Sequence, residues 1–486
     1  MSLVRLIQEF IKPAGLNHPR PACPALPSRA ALRFCAVVGV LLSLFTSTTL
    51  SAGELPPPVI PAGVGVNIHF NRGHEKDLDM IAAAGFRFIR MDLGWSSIER
   101  VKGEYDWSEY DELTANLDRR GLRAIYILDY SNPLYEQEVG ARNPLTGQDD
   151  RDTGSPQHPE SVAAFARWAA AAAAHFRGRH IVWEIWNEPN ISFWKPKPDV
   201  AQYNALALAT CRAVRQADPK ATIIGPATSE VPMPFLESFC ASGALEYLDA
   251  VSIHPYRNPR KAPETAAEDY AKLRRLIERY APASRKQMPI ISGEWGYSSN
   301  TRGVSTQVQA AFLVRQQLAN LLQGVPLSIW YDWQNDGQDP KENEHNFGVV
   351  SFELQPKPAY RALQTMAAEL KGCRIKQRLN TTNAQDYLLL FTAEKLPLKL
   401  AAWTTGDPHQ IRIPLKPKRK FKIHAVAWDG QTSGIEFSRS GSAAAPMSIG
   451  SQGNQGPKLE SDGQTLTFVI GPDPIYITLV GAVMMP

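Results

Sequence analysis

Long apolar runs are scarce in this 486-residue chain. The longest unbroken one, Phe34–Leu44 (FCAVVGVLLSL), falls short of the roughly 20 residues a membrane span needs. Cysteine is scarcer still. Only Cys211, Cys240 and Cys373 follow residue 52, and no CxxC or HxxxH spacing occurs. That argues against a zinc site and against a disulfide-built scaffold. Cys211 and Cys240 fall on neighbouring predicted helices and can pair if those helices meet. Net charge is missing from the body. The formal charge is +4, yet residues 1–52 carry Arg5, Lys12, Arg20, Arg29 and Arg33 against Glu9, which leaves 47 basic and 47 acidic side chains beyond them. A neutral body gives no electrostatic reason to bind nucleic acid or an anionic membrane. There are no tandem repeats and no coiled-coil heptads.

What is present begins with an export signal. A basic stretch ends at Arg33, the apolar run follows, and small residues lead to a cleavage position at Ala52. An uncleaved signal anchor is the alternative, and it is the one expected route to a membrane. The Pro-rich LPPPVIP (Leu55–Pro61) reads as a linker. The expected division is a leader over 1–52, a linker over 53–62, a catalytic body over 63–370 and a β domain over 371–486.

In the body, apolar strand-like runs alternate with helical ones. The runs are GVGVNIHF (63–70), FRFIRMD (86–92), LRAIYILD (122–129), IVWEIWNE (181–188), ATIIGP (221–226), AVSIH (250–254), PIISGE (289–294) and LSIWYDW (327–333). Buried parallel strands read as continuous apolar runs, and eight strand–helix units predict an α/β fold, a (β/α)8 TIM barrel. After Cys373 the pattern changes to short strands between Gly, Pro, Asn and Asp, which predicts a C-terminal antiparallel β-sandwich. Within it, Ser438–Pro457 reads as a flexible loop and Lys416–Lys422 (KPKRKFK) as a solvated hairpin tip. The loop Tyr130–Pro159 is long enough to wall a cleft or act as a flap.

In a barrel of this kind, chemistry sits where strands end. The fourth run ends Trp-Asn-Glu-Pro at Glu188 and the seventh ends Gly-Glu-Trp at Glu294, so two carboxylates share one mouth. Glycosidic cleavage needs such a pair, one to protonate the leaving oxygen and one to meet the developing positive charge. Glu184 is read as a barrel-interior residue. Trp95, Trp194, Trp295, Trp330 and Trp333 fall on strand ends or the loops after them, as candidate platforms for the apolar faces of sugars; His69 ends the first run.

The combination WEIWNEPN, ISGEWG, ERVKGEYDW (Glu99–Trp107) and His254-Pro255-Tyr256 resembles the clan A retaining glycoside hydrolases, most closely families 39 and 5. The resemblance covers residues 63 to about 370. It implies Glu188 as general acid/base and Glu294 as nucleophile. It further implies Asn187 on the sugar 2-hydroxyl, Tyr256 holding Glu294, Arg90 keeping that nucleophile ionised, and His254 with Trp330 shaping the subsite of the attacked sugar. No metal and no organic cofactor is implied. The expected partner is an extracellular polysaccharide or oligosaccharide, acted on by a monomer. An exo-acting xylosidase or glucosidase, a transglycosylase and a carbohydrate-binding barrel without catalysis remain open at this point.

Overall fold

The computed structural model describes residues 54–142, 149–394, 396–438, 447–449, 456–462 and 464–484. The leader therefore lies outside the described residues, as does most of Ser438–Pro457. Among the described residues no helix is long and apolar enough to cross a membrane.

All eight predicted runs form strands: β1 (Val64–Asn67), β2 (Phe88–Gly94), β3 (Arg123–Asp129), β4 (Val182–Ile185), β5 (Thr222–Ser229), β6 (Ala250–His254), β7 (Ile290–Ser292) and β8 (Ser328–Trp330). They pair in parallel and in chain order, and β8 closes on β1. Helices such as Pro159–His175, Val200–Ala217 and Thr306–Leu322 pack outside. Phe88, Ile125, Val182, Ile224, Ala250, Ile291, Leu327 and Ile329 form the apolar floor of the barrel. Side chains two residues further along a strand point the same way. Arg90, Glu184 and Ser252 thus stand directly above Phe88, Val182 and Ala250, and the barrel changes from apolar to charged toward its mouth.

The C-terminal region is antiparallel. Its large sheet runs in the order Arg374–Arg378, Asp386–Thr392, Leu398–Thr404, Ile475–Met484, His409–Ala427, Thr432–Ser438, Met447–Ile449. The first part of His409–Ala427 also pairs with Thr465–Ile470 in a second layer. The run YLLLFT is apolar throughout because both faces of its strand are covered. Leu388 and Leu390 enter the core of the sandwich, whereas Leu389 and Phe391 join the core of the barrel. Ala401, Trp403 and Tyr476 repeat that alternation, so the large sheet packs on the barrel. At this contact Glu264 accepts from Arg315 at 2.8 Å and from the Trp403 indole at 2.7 Å.

Four expectations need correction. Cys211, Cys240 and Cys373 are all free thiols and all buried, so the candidate pair does not form. Lys416–Lys422 is no hairpin tip but the middle of the continuous strand His409–Ala427, where a register shift lies between Pro417 and Lys422. The 53–62 linker is fastened to the body: Ile60 is buried and exchanges backbone hydrogen bonds with Gly372 and Cys373. The 130–159 loop is partly regular, with a hairpin of Glu138–Arg142 and Asp149–Thr153, and it is tied to the loop after β4 through Ser155 and Lys195.

Candidate active site

Glu188 follows β4 in a strained turn. Trp186 and Glu188 both take positive φ, 66° and 47°, a conformation that costs on the order of 1–3 kcal/mol per non-glycine residue. The turn is held by backbone bonds from Trp186 to Leu128 and from Glu188 to Ala227. Glu294 follows β7 after a glycine that the packing requires. A Cβ on Gly293 would stand 2.4 Å from the Ser252 hydroxyl and 2.9 Å from Glu184. One oxygen of Glu188 and one of Glu294 lie within 4.8 Å of each other, and His254 Nδ1 is 3.0 Å from Glu188 Oε1 and 4.0 Å from Glu294 Oε2.

Arg90 organises the mouth. Its guanidinium is buried and donates to Glu184 (2.6 Å), Glu294 (2.6 Å), Asn187 (2.8 Å) and Asn67 (3.1 Å). Glu184 also accepts from Ser252, so it belongs to the interior layer as expected. Tyr256 donates its hydroxyl to the other oxygen of Glu294 at 2.8 Å. Burial first, then the charge of Glu294, holds that phenol well above its usual range, so it stays a neutral donor.

Glu188 is the opposite case. It is 7% exposed, and burial pushes its carboxyl up to about 7, against the lowering effect of Arg90 and a hydrogen bond from Ser229. His254 is fully buried, with Nδ1 3.0 Å from Glu188 Oε1 and Nε2 3.3 Å from Arg90 Nη2. Arginine can only donate, so Nε2 accepts and the neutral ring carries its proton on Nδ1, directed at Glu188. Burial, reinforced by Arg90 and opposed by Glu294, pulls this imidazole down to about 4, in keeping with the neutral form. Asn187 accepts from Arg90 and donates to the Tyr130 hydroxyl at 2.9 Å, which leaves one amide hydrogen for a ligand.

The structure thus brings Glu188, Glu294, Asn187, His254, Tyr256 and Arg90 together. His254 stands behind the carboxylates with no surface of its own, so it shapes the subsite through Glu188 and Arg90 and not by direct contact. His69 sits at the rim, half exposed, 3.5 Å from buried Asp332. Burial disfavours its charge, but Asp332, Asp336 and Asp92 outweigh that and raise it to about 9.

The five tryptophans are corrected as platforms. Trp95, Trp194, Trp295, Trp330 and Trp333 are each at most 1% exposed. Trp95 stacks on Tyr135 and Trp168, and Trp194 packs against Trp186 and Tyr203. Trp295 lies under Arg257, Trp330 donates to the Phe347 carbonyl, and Trp333 donates to Asp77. They are packed into the interior at and beyond the strand ends, with almost no exposed surface. The half-buried ring of Tyr331, between Phe347 and His69, stands at the mouth instead. Tyr331 and Tyr130 were missed, although each directly follows the end of a strand. Two triads of metal-ligand type occur among the described residues, Glu188–His254–Glu294 and His69–Asp332–Asp336. In the first, Arg90 already supplies the positive charge.

Residues 60–337 match the family model described as cellulase, glycosyl hydrolase family 5. The chain is 26% identical over 265 residues to a β-xylosidase of Caldicellulosiruptor saccharolyticus, covering 49% of this chain and 52% of that one. It is 27% identical over 239 residues to a β-xylosidase of Geobacillus stearothermophilus, covering 43% and 47%. The chain thus spans about half the length of the curated relatives it matches. Among solved structures, a family 39 glycoside hydrolase of Bacteroides cellulosilyticus WH2 superposes with a TM-score of 0.67 at 24% identity, over 87% of this chain and 81% of that one. A monomeric β-xylosidase of Caulobacter crescentus CB15 gives 0.60 at 18% identity, over 88% and 98%. At these identities the structural likeness is one of fold.

Proposed function

Because the chain belongs to glycosyl hydrolase family 5, the cellulase family, and is an O-glycosyl hydrolase of the clan A type, we propose that it cleaves its substrate with retention, Glu188 acting as acid/base and Glu294 as nucleophile. The observation that carries this is the opposed setting of two carboxylates within 4.8 Å of each other. Glu294 is gripped on one oxygen by Arg90 and on the other by Tyr256. Glu188 is buried beside a neutral imidazole, with its carboxyl raised to about 7. Carboxylates about 5 Å apart suit double displacement, whereas inversion needs roughly 6.5–9.5 Å to admit a water between them.

Glu294 attacks the anomeric carbon as Glu188 passes its proton to the glycosidic oxygen, and the sugar becomes esterified to Glu294. Glu188, now a carboxylate, takes a proton from water, which attacks the same carbon from the side the leaving group vacated while the ester bond to Glu294 breaks and releases its carboxylate. Two inversions give net retention. The free amide hydrogen of Asn187 is placed for the sugar 2-hydroxyl, and the interior layer of Arg90, Glu184 and Ser252 holds both partners still.

The proposed substrate is an extracellular polysaccharide, reached by export through the 1–52 leader. Exo-acting β-xylosidase activity is the second reading, favoured by the names of the two curated relatives. A polysaccharide and aryl-glycoside panel digested with wild type, Glu188→Gln and Glu294→Gln tests all of this together. New reducing ends from one polymer, lost in both variants, support the first reading. Release of single sugars from chain ends or aryl xylosides alone supports the second. Binding without cleavage, or full activity in both variants, overturns catalysis by this pair.

A further inference from the structure

Every N–H of Arg90 is already committed. The donors of its guanidinium go to Glu184, Asn67, Glu294, Asn187 and His254, and none is left for a further carboxylate. Yet two more carboxyl groups stand close by. Asp92 tops the inward row Phe88, Arg90, Asp92 of β2, and Asp129 tops the row Ile125, Ile127, Asp129 of β3. The strands pair in parallel with Asp92 beside Ile127 and Gly94 beside Asp129, so the two carboxyl groups are diagonal neighbours on one face. Asp92 is half-buried, whereas Asp129 is wholly buried. Neither oxygen of Asp129 meets a hydrogen-bond donor. We propose that Asp129 is a positioning residue held as a neutral carboxylic acid, donating its proton in a hydrogen bond to Asp92, so that the pair carries one negative charge instead of two. The positioning role rests on the hydrolytic reading above; the shared proton does not.

A carboxylate sealed from water with no donor is among the costliest groups a protein can bury. Protonation removes the charge and supplies the one donor that the pair lacks. Two carboxyl groups that share a site keep a proton between them for the same reason. The surroundings agree. Asp129 faces Asp92 and Arg90 from β2, Glu184 from β4 and the Tyr110 phenol from the helix Ser108–Asp118, with Tyr130 next to it in the chain. Burial first, then Asp92, drives the Asp129 carboxyl well above the usual carboxylate range, against the pull of Arg90. The remaining charge stays on Asp92, the partner that water reaches.

Neutrality has a use at this position. Arg90 already faces Glu184 and Glu294 at 2.6 Å each, and an ionised Asp129 would add another buried charge drawing on the same guanidinium. An uncharged Asp129 reserves Arg90 for the nucleophile. The residue that follows it, Tyr130, accepts from Asn187, so the hydrogen bond that fixes Asp129 also fixes the backbone leading to the partner of Asn187.

The test labels aspartate with carbon-13 at its side-chain carboxyl and records the carboxyl resonances of the whole wild-type chain. At about pH 8.5 Glu188 carries no label, and Asp332, raised to about 7, is ionised. One aspartate should keep the shift of a neutral acid, and Asp129→Asn should remove that signal alone. Ionised shifts for every aspartate would overturn the proposal. On an aryl glycoside, Asp129→Leu should lower kcat/KM by about tenfold or more, the scale of one lost hydrogen bond to a charged group. Asp129→Asn, which keeps a neutral donor in the same shape, should recover most of that loss. Equal losses in the two variants would overturn the positioning role. Wild type inactive on every glycoside would overturn the hydrolytic reading and the positioning role with it, while the carbon signal would still decide the shared proton.

Discussion

Nη1 of Arg90 stands 2.6 Å from Oε2 of Glu294, and this ion pair, buried in the barrel mouth, separates the duties of the two carboxylates. The same guanidinium holds Glu184, Asn187 and Asn67 and leaves Glu188 to a neutral histidine. A lysine would keep the charge but lose the fork. Arg90→Lys should therefore lower kcat/KM by about 100-fold or more, the scale of a lost preorganised donor, with an unchanged far-ultraviolet circular dichroism spectrum.

The pH profile should report Glu188. Its acid form is needed for the first step, so activity should fall as pH rises through about 7. In His254→Phe the Nδ1 donor that stabilises ionised Glu188 is gone. That fall should move to higher pH while kcat drops, and a plain folding defect would not move the profile. Rates on an aryl glycoside from pH 4 to 9 provide the check.

Stability should follow the same group. The carboxyl of Glu188 is raised above its ordinary 4.5 to about 7 in the folded protein. Its contribution is therefore fully present below about pH 4.5 and is lost as pH rises through 7. The loss is on the order of 3 kcal/mol for such a shift. Glu188→Gln lacks this loss, so its Tm should gain on wild type between pH 5 and pH 8. A constant gap would contradict the buried, raised carboxyl.

Glu264 offers a test that should leave catalysis alone. Its carboxylate pairs with buried Arg315 and with Trp403 of the β domain. Glu264→Ala strands that guanidinium, a change that typically costs about 3–5 kcal/mol. Urea unfolding should show the loss, while kcat/KM at 25 °C stays near wild type.

Much of this was legible in the chain because a barrel ties geometry to order. A continuous apolar run ending in a charged residue marks both the strand and the place where its side chain emerges, so Glu188 and Glu294 could be named without coordinates, whereas Arg90 and Tyr256 came from the resemblance to the clan A glycoside hydrolases. Tryptophans at the same positions misled, because a large ring at a strand end can line a cleft or fill the space beneath it, and only the neighbours decide. Trp194 has Trp186 and Tyr203 on its faces; Trp333 has Asp77 for its indole nitrogen. Lys416–Lys422 read as a turn because proline and like charges break most strands, whereas here a register shift accommodates them. His254 was placed at the site, but its tautomer follows only from the Arg90 contact.

Azide rescue of the two alanine variants tests the division of labour most directly. With an activated aryl glycoside, azide should restore turnover to Glu294→Ala and give a glycosyl azide of inverted configuration, because only the first displacement remains. With Glu188→Ala, azide should attack the glycosyl-enzyme and give the retained configuration. The opposite pairing of variant and configuration, or rescue of neither, would contradict Glu294 as nucleophile and Glu188 as acid/base.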